Sequence, residues 1–497
     1  MAATVSTPDS DDLPVPELAE DAARCARRLA AADRVLLASH IDADGLTSAA
    51  VASRALERAG VPHEVVFEKQ LDAESVAGIA DRDYETVLFT DFGSGQLDVI
   101  AAHERAGHFA PVVVDHHQPA KGEAADGGDS ETEFHLNPLL CGLDGASELS
   151  GAGAAYVLAR ALEPAGADRP HGRDADNRDL AALAVVGAVG DMQASGGELH
   201  GANAGIVAEG VDAGVLEEAK DLAVYGKQTR PLPKLLEYAT DTFVPGISND
   251  EAGAIDFLRS LDLNLRDDDG DWRTWVDLTR AEQTAITSGL VERAVRSGVP
   301  ARKAENLVGT TYTLLDESVG TELRDASEFS TLLNATARYE RADVGLAVCR
   351  GDRDAALARA RTLLRDHRRN LSSGLEWVEQ TGVTREDNIQ WFDAGEEIRE
   401  TIVGIIAGMA VGTSGVDRNT PIVAFASKND AETKVSSRGT PALVGQGLDL
   451  SVVMGEAAAA VGGGGGGHDV AAGATIPAGE ERAFIQEADR IVGEQLG

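Results

Sequence analysis

Short apolar runs alternate with amphipathic segments between residues 34 and 115. The amphipathic segments have the hydrophobic spacing of helices, whereas the apolar runs are only four to six residues long and read RVLLAS (34–39), HEVVF (63–67), TVLFT (86–90) and PVVV (111–114). This alternation predicts strands joined by right-handed crossover helices, and therefore a parallel, doubly wound α/β sheet. Ligands of such sheets bind beyond the carboxyl ends of the strands.

Helical spacing dominates from residue 151 to about 386, and strand-like runs return after residue 388. The pattern and the length of 497 residues predict more than one hydrophobic core. We expect an acidic disordered tail over residues 1–16, a first α/β domain over 17–245, a helical insertion and connector over 246–386, and a smaller α/β domain over 387–497.

The chain is strongly acidic, with 83 Asp and Glu residues against 44 Lys and Arg residues and a net charge of −39. Such a surface ordinarily argues against a nucleic-acid ligand, because Lys and Arg supply most phosphate contacts. The acidic residues are nevertheless spread along the whole chain, which favours adaptation to a cytoplasm of high salt, where distant charges are screened. Under that interpretation the source is a halophilic archaeon, and the acidic surface does not exclude nucleic-acid binding.

The N-terminus lacks the basic and apolar regions of a signal peptide. The most apolar long run of the chain, TIVGIIAGMAVGTSGV (401–416), is too short to span a bilayer. Three scattered cysteines, Cys25, Cys141 and Cys349, have no spacing typical of a disulfide framework or a thiolate metal site. We therefore expect a cytoplasmic protein with no membrane partner.

Carboxylates and imidazoles follow the predicted strands where they end. One helical run ends in an aspartate as well, and the whole set is His40, Asp42 and Asp44 in SHIDADG, Asp91 in FTDFGSG, Asp115, His116 and His117 in VVVDHHQP, and Asp191 in AVVGAVGDMQ. Each aspartate alone is more typical of a helix cap than of a ligand. Parallel strands, however, bring these ends to one edge, and oxygen ligands mixed with imidazoles suit Mn²⁺ and related divalent ions. A carboxylate shared by two such ions would give the arrangement that hydrolyses phosphoesters.

Those four segments, in this order, resemble the four motifs of the DHH phosphoesterase superfamily. FHLNPLLCGLDGASELSGAGAAYVLARAL and FSTLLNATARYERADVG are similar to segments of its RecJ branch, and YGKQTRPLPKLLEYAT resembles the archaeal GINS-associated nucleases of that branch. The resemblance implies a DHH catalytic domain over 17–245 and a DHHA1 substrate-binding domain over 387–497. It covers nearly the whole chain from about residue 20.

The resemblance also implies roles for the residues at matching positions. Two Mn²⁺ ions, with Mg²⁺ or Co²⁺ as substitutes, would be held by His40, Asp42, Asp44, Asp91, His116 and Asp191, with Asp91 between them. His117 would face the scissile phosphate, and Asp115 would orient its neighbours. His40 stands where bacterial RecJ typically has Asp, a departure that concerns metal preference.

Six consecutive glycines, Gly462–Gly467, precede His468. By composition alone this run is typical of a flexible tether. The segment GGGHDVAAG, however, resembles the signature loop of DHHA1 domains, in which glycine lets a phosphate approach backbone N–H groups. The resemblance implies a substrate site made by Ser436, Arg438, Gly465, Gly466, Gly467, His468 and Gly473, with Gly462–Gly464 left as a candidate for slack chain.

The function implied is a hydrolase: a single-strand-specific exonuclease that degrades single-stranded DNA, or RNA, in the 5′→3′ direction during replication or repair, with the GINS complex as partner. Two rivals remain open. One is a phosphodiesterase of small substrates such as oligoribonucleotides or cyclic dinucleotides, which the long middle segment argues against. The other is a catalytically silent replisome scaffold bound to GINS, which the intact set of candidate ligands argues against.

Overall fold

The computed structural model describes residues 13–120, 132–167, 176–194 and 197–497. The chain divides into two compact units, Met1–Ala360 and Arg361–Gly497. Most of the predicted tail, residues 1–12, lies outside the described residues. Its last part is packed rather than loose, because the apolar side chains of Leu13 and Val15 are only 5% and 1% exposed.

A five-stranded parallel sheet forms the centre of the first unit. Its strand order is β2-β1-β3-β4-β5, and the strands are β1 (Val35–His40), β2 (His63–Glu68), β3 (Thr86–Thr90), β4 (Ala110–Val114) and β5 (His135–Leu136). The four longer strands are those predicted from the apolar runs. Their side chains are buried on both faces of β1 and β3, as continuous apolar runs require. The parallel α/β fold predicted from the sequence is thereby confirmed.

Helices cover this sheet, and the first seven are α1 (Ala19–Ala31), α2 (Ala43–Arg58), α3 (Ala73–Ala80), α4 (Leu97–Arg105), α5 (Gly151–Ala167), α6 (Ala181–Gly190) and α7 (Gly201–Asp212). Helix α2 starts where the Asp42 side chain accepts a hydrogen bond from Gly45 N, which satisfies one of the unpaired N–H groups of its first turn. Small residues dominate the buried face of α2, so α5 and α6 approach it closely. The segment that follows β1 is therefore held rigidly.

Two paired antiparallel strands stand before and after the middle segment of the chain. They are β6 (Leu216–Leu222) and β7 (Val308–Leu314), and between them lie α8 (Leu232–Glu237), α9 (Glu251–Ser260), α10 (Arg280–Arg296) and α11 (Ala301–Glu305). These helices share a hydrophobic core around Trp275, to which Leu232, Leu235 and Leu258 belong. The boundary expected at residue 245 therefore falls inside one core, since leucines on either side of it pack together.

Three helices follow β7: α12 (Ala326–Arg338), α13 (Ala342–Cys349) and α14 (Ala355–Thr381), the last of which crosses the boundary between the units. Helix α12 packs on α6 and α2 of the first unit. It therefore lies beside the elements that carry the candidate ligands.

The second unit is a six-stranded mixed sheet of order β12-β13-β11-β10-β9-β8. The strands are β8 (Thr384–Arg385), β9 (Gln390–Asp393), β10 (Ile422–Ser427), β11 (Glu432–Arg438), β12 (Gly464–Gly467) and β13 (Ala471–Pro477), and the helices are α15 (Val403–Ala410), α16 (Pro441–Val444), α17 (Leu450–Ala460) and α18 (Glu481–Leu496). One face carries the core that includes α17 and α18, and the other carries the core around α15. No described helix is long and apolar enough to cross a membrane.

Candidate metal centre

The carboxyl edge of the parallel sheet gathers the predicted residues of the first unit. Strand β1 ends in His40, Asp91 directly follows β3, and Asp115 directly follows β4. Strand β3 pairs with both β1 and β4, so these three ends are neighbours. The shared edge that the sequence predicts is therefore present.

Three groups of candidate ligand atoms meet at this edge, and one of them, made by Asp91, Asp115, His116 and His117, shares a residue with each of the other two. His40, Asp42 and Asp91 form the first of those two groups. His40 Nδ1 lies 3.2 Å from Asp42 Oδ2 and 3.6 Å from Asp91 Oδ2. One ligand atom from each of the three residues lies within 4.8 Å of the others, which is close enough to surround one cation.

Asp44, His116 and Asp191 form the second group. His116 Nε2 lies 3.7 Å from Asp44 Oδ2, and His116 Nδ1 lies 3.9 Å from Asp191 Oδ2. The same Nε2 atom is also 3.2 Å from Asp91 Oδ1. Asp91 therefore turns one carboxylate oxygen towards each group.

Asp91 has the properties of a functional residue. It is 2% exposed and adopts a φ of 60°, a left-handed conformation that few non-glycine residues adopt. Its Oδ1 atom is buried without a hydrogen bond, an arrangement that costs free energy unless something compensates it. A Cβ atom at Gly151 would lie 2.4 Å from this oxygen, so only glycine leaves room beside it.

Asp44 is held by the first turn of α5. Its two oxygens accept hydrogen bonds from Gly151 N at 2.7 Å and Ala152 N at 3.0 Å. A carboxylate at a helix N-terminus is stabilised by the helix dipole and by otherwise unpaired N–H groups. The carboxylate is thereby fixed in a position that is only 2% exposed.

Sequence reasoning missed a residue that orients the second group. Gln193 donates from Nε2 to Gly145 O and to Asp191 Oδ2, both at 2.9 Å. Gly145 O also accepts from His116 Nδ1 at 2.7 Å, which leaves Nε2 of that ring for a ligand. Asn203 in turn donates to Gln193 Oε1 at 2.6 Å. The motif GDMQ contained the glutamine, but nothing in the sequence indicated these partners.

A second missed residue is Asn334 of α12, whose Oδ1 accepts a hydrogen bond from Ala43 N at 3.1 Å. Ala43 lies between Asp42 and Asp44, so this bond fixes the segment that carries both carboxylates. The two residues are 291 positions apart, and no local pattern predicts such a pair.

Asp115 and His117 stand beside the two groups. Asp115 Oδ1 accepts from His116 N, His117 N and His117 Nδ1 at 2.8, 3.2 and 2.8 Å, and its Oδ2 accepts from Ser94 N at 2.9 Å. Burial opposes the ionisation of Asp115, but the hydrogen bond from His117 outweighs burial and lowers the pKa to about 2. The same hydrogen bond raises the pKa of His117, whose side chain is 55% exposed. An imidazole oriented by Asp115 is thus held at the edge of the cluster.

The other ionisable residues of the cluster have shifted pKa values, because they are buried and lie close to one another. Burial raises the pKa of Asp44 well above its usual range, and the charges of Asp91 and Asp191 raise it further. Burial likewise raises the pKa of Asp191 to about 6. Burial lowers the pKa of His40, but its interactions with Asp42 and Asp91 outweigh burial and raise the pKa to about 11. The cluster therefore concentrates buried negative charge that a divalent cation would compensate.

The donor set fits a hard divalent cation. It consists of carboxylate oxygens and imidazole nitrogens without cysteine, and it includes the unbonded Oδ1 of Asp91. The cluster is therefore suited to metal binding on the chemistry of its own atoms.

The predicted substrate residues of the second unit lie on three adjacent strands. In the antiparallel registers Ser436 of β11 faces Gly473 of β13, and Gly473 faces Gly466 of β12. Arg438 faces Ala471, two positions further along. His468 begins the turn between β12 and β13, where its N–H donates to Ala471 O at 2.9 Å.

The glycine run is mainly an edge strand, and its residues differ in what surrounds them. A Cβ at Gly465 would lie 2.6 Å from Met454 O, and one at Gly467 would lie 2.7 Å from Ala472 Cα. A Cβ at Gly464 or Gly466 would meet no atom within 4 Å. Packing against α17 and β13 therefore requires Gly465 and Gly467, and it requires Gly463 as well, because a Cβ there would lie 2.3 Å from Thr475 O. No contact within the chain explains Gly464 and Gly466.

Two family comparisons agree with this architecture. Residues 224–308 match the DHH-CID domain, and residues 388–494 match the DHHA1 domain. An uncharacterised protein of Methanocaldococcus jannaschii is 28% identical over 461 residues, which cover 92% of this chain and 93% of the relative.

Solved structures share the fold at low identity. RecJ from Thermus thermophilus with Mn²⁺ has a TM-score of 0.58 and 18% identity, over 98% of this chain and 56% of RecJ, so the chain spans just over half the length of that protein. A manganese-bound exonuclease RecJ has a TM-score of 0.56 and 17% identity, over 97% of this chain and 95% of that one. CDC45 from Entamoeba histolytica has a TM-score of 0.62 and 11% identity, over 96% and 98%.

The fold and the Asp/His cluster support a metal-dependent phosphoesterase. A DHH-CID segment and a DHHA1 segment occur in one chain that has the fold of RecJ. The chain therefore combines matches to DHH-CID and DHHA1 domains with a RecJ-like fold, which fits a RecJ-like member of the DHH superfamily.

Proposed function

We propose that the protein is a metal-dependent exonuclease that hydrolyses phosphodiester bonds in single-stranded nucleic acid. The observation that carries the proposal is Asp91, which directs one carboxylate oxygen at each of two carboxylate–imidazole groups. By analogy with the archaeal RecJ branch, the substrate is single-stranded DNA degraded 5′→3′ in replication or repair, with the GINS complex as partner in the cytoplasm.

Two Mn²⁺ ions, or Mg²⁺ or Co²⁺ in their place, fit the two groups. His40, Asp42 and Asp91 would hold one ion, and Asp44, Asp91, His116 and Asp191 would hold the other. When bound, such ions lower the pKa of water and stabilise negative charge on a phosphoryl group. His116 is already set in the tautomer that leaves its Nε2 for the ion, because its Nδ1–H donates to Gly145 O.

His117 is the residue that would meet the phosphate. Asp115 holds its Nδ1 at 2.8 Å and raises its pKa, so the ring keeps a proton more readily at neutral pH. A cationic imidazole beside the metal groups would donate a hydrogen bond to a phosphate oxygen and stabilise charge that develops in the transition state.

Strand β12 of the second unit, which consists of glycine alone, would hold the nucleic-acid backbone. Gly466 and Gly473 let a phosphate approach main-chain N–H groups without a side chain in between. Arg438, on the same sheet face as Ser436, supplies the guanidinium that binds phosphate through two hydrogen bonds. Gly464, rather than Gly465, belongs to this open face.

A second candidate is a catalytically silent scaffold, which the similarity of fold to CDC45 favours. A nuclease and a scaffold differ in their need for the ligands. The full set of carboxylates and imidazoles, together with the orphaned oxygen of Asp91, is what a nuclease needs and what a scaffold does not.

A product ladder tests the proposal. Single-stranded DNA and RNA oligonucleotides labelled at the 5′ or the 3′ end are incubated with the protein and Mn²⁺ at high salt. The expected result is immediate release of labelled mononucleotide from 5′-labelled DNA and a descending ladder from 3′-labelled DNA. Absence of any product would support the scaffold. Cleavage of a labelled dinucleotide added in parallel, without cleavage of the longer oligonucleotides, would support the small-substrate phosphodiesterase.

A further inference from the structure

A cavity of about 600 Å³ lies beside the metal centre, within the first unit. His40, Asp91, Asp115 and His117 line one end of it. The segments after β2 and β3 and the starts of α3 and α4 form the rest of its wall. We call this space the side cavity. A phosphate at His117 would therefore leave one of its two ester substituents next to the side cavity.

The wall combines apolar surface with amide groups. Leu71, Phe92 and Val99 supply the apolar part, and Gln70 and Gln96 supply amides that donate and accept hydrogen bonds. Binding sites for small organic groups commonly pair an apolar lining with a few polar groups that fix orientation. A flat heterocycle with polar edges, such as a nucleobase, matches that combination.

The charges of the wall indicate which part of a nucleotide the side cavity holds. Asp72 and Asp98 are acidic, whereas the Lys69 ammonium forms an ion pair with Glu340 at 2.6 Å. A second phosphate in the side cavity would lie near two carboxylates and would be repelled. Sugar hydroxyls and base amino groups would instead donate hydrogen bonds to those carboxylates. The side cavity thus suits the uncharged part of a nucleotide, its base and sugar, with the scissile phosphate at the metal end.

We propose that the side cavity binds the nucleoside joined to the scissile phosphate. This inference rests on the proposed function and adds a subsite that the metal ligands do not provide. Its volume is within the range of about 300–1,000 Å³ that small-molecule sites occupy, so it holds one nucleoside rather than a folded segment of nucleic acid.

Gly95 offers a way to fill the side cavity without disturbing the chain. It lines the space, its φ lies outside the left-handed region, and an added Cβ would meet no atom within 4 Å. Gly78 of α3 is a matched control, since it also has open space around an added Cβ but does not line the cavity. The test variants are Gly95→Phe and Val99→Phe, and the control is Gly78→Phe.

Equilibrium binding is the first measurement. Deoxyadenosine 5′-monophosphate and inorganic phosphate are titrated separately into the Mn²⁺-loaded full chain. We expect the nucleotide to bind at least about tenfold more tightly than phosphate, and this difference to disappear in Gly95→Phe and Val99→Phe but not in Gly78→Phe. Equal affinity of the wild type for the two ligands would overturn the subsite.

Hydrolysis distinguishes failure of the subsite from failure of the proposed function. We expect Gly95→Phe to raise KM for a single-stranded oligonucleotide about tenfold while its Mn²⁺ affinity stays at the wild-type value. If the wild type degrades the oligonucleotide and both test variants degrade it with unchanged KM, the subsite is wrong and the nuclease stands. If the wild type degrades no nucleic acid, the proposed function itself fails.

Discussion

The two units offer different kinds of surface to a ligand. The first unit concentrates buried charged side chains, with Asp44 and Asp91 each 2% exposed. The second unit offers bare main chain on β12, where Gly464 and Gly466 have no neighbour within 4 Å of an added Cβ. A catalytic group has to be fixed by many partners, whereas a surface that holds a polymer backbone has to be free of obstruction.

This difference predicts how substitutions act. In the first unit a single change leaves charges or hydrogen-bonding groups without partners, so it affects the bound ion and the reaction. In the second unit a change on the open face adds atoms where a substrate would lie, and it affects affinity alone. The predictions below separate these two kinds of effect.

Asp191→Ala should have the largest effect on activity. The change removes a candidate ligand whose side chain is 30% exposed, so it opens no cavity in the core. We expect kcat to fall roughly 10³-fold or more, because metal ions supply several kcal/mol of transition-state stabilisation. The control is Asp81→Ala, which likewise removes an aspartate that follows a helix, α3, and which should leave Mn²⁺-dependent hydrolysis unchanged. Unchanged hydrolysis in Asp191→Ala would remove the basis for the second metal group.

Glu328 of α12 gives the first unit a pH-dependent stability. Its side chain accepts hydrogen bonds from Gln228 N at 2.8 Å and Thr229 Oγ1 at 2.7 Å, and burial raises its pKa from 4.5 to about 7. Between these two values the folded state binds more protons than the unfolded state, so the free energy of unfolding falls as pH rises. Glu328→Gln should flatten this fall by up to about 3 kcal/mol.

Denaturant unfolding of the first unit between pH 4.5 and 7 measures that effect. Glu481→Gln in the second unit is the contrast. Burial opposes ionisation of Glu481, but a hydrogen bond from Thr433 outweighs it and lowers the pKa. The stability that this residue contributes is fully present above pH 4.5, so Glu481→Gln should not change the slope in the same window. Parallel slopes for wild type and Glu328→Gln would contradict the assignment.

Gln193→Met should weaken one ion position selectively. The methionine has a similar shape but donates no hydrogen bond to Asp191 or Gly145, and loss of such an orienting partner typically lowers metal affinity by about 10–100-fold. We expect calorimetric titration with Mn²⁺ to show one weakened and one unchanged binding step. Gln390→Met is the matched control, because Gln390 is equally buried in the second unit and donates to Asp417 O and Thr420 O. Equal losses at both steps would show that Gln193 acts on the fold as a whole.

Gly465→Ala and Gly466→Ala should separate packing from binding on one strand. The first substitution places a Cβ 2.6 Å from Met454 O and should lower the stability of the second unit by about 1–3 kcal/mol. The second meets nothing within 4 Å and should leave stability unchanged while raising KM for single-stranded DNA a few-fold. Thermal unfolding and steady-state kinetics measure the two effects. The result that would count against an open substrate face is an unchanged KM in Gly466→Ala.

Sequence patterns predicted the parallel sheet and the clustering of His40, Asp91 and Asp115, because period and strand direction are local properties that fix where strands end. They did not predict Gln193 or Asn334 as orienting residues, since those hydrogen bonds join segments that only tertiary packing brings together. The domain boundary expected at residue 245 falls inside one hydrophobic core, because a change in the sequence pattern need not coincide with a change in packing.

The glycine run shows a different limit of sequence reasoning. The tether interpretation treats Gly462–Gly467 as one flexible run, and the phosphate-loop interpretation divides it into slack Gly462–Gly464 and substrate-binding Gly465–Gly467. In the fold, Gly464–Gly467 is instead an edge strand paired with Ala472–Thr475. A strand alternates its faces, so Gly465 and Gly466 lie on different faces of the sheet. Only the register could show which glycine faces the open side.

The most direct test of the account is the number and coupling of bound ions. Mn²⁺ is titrated into the metal-free full chain at high salt, and the loaded protein is examined by electron paramagnetic resonance. A centre in which Asp91 serves two groups predicts two ions per chain with a spin-coupled signal in the wild type, and loss of the coupling in Asp91→Asn. A single magnetically isolated ion in the wild type, or an unchanged coupled signal in Asp91→Asn, would contradict it.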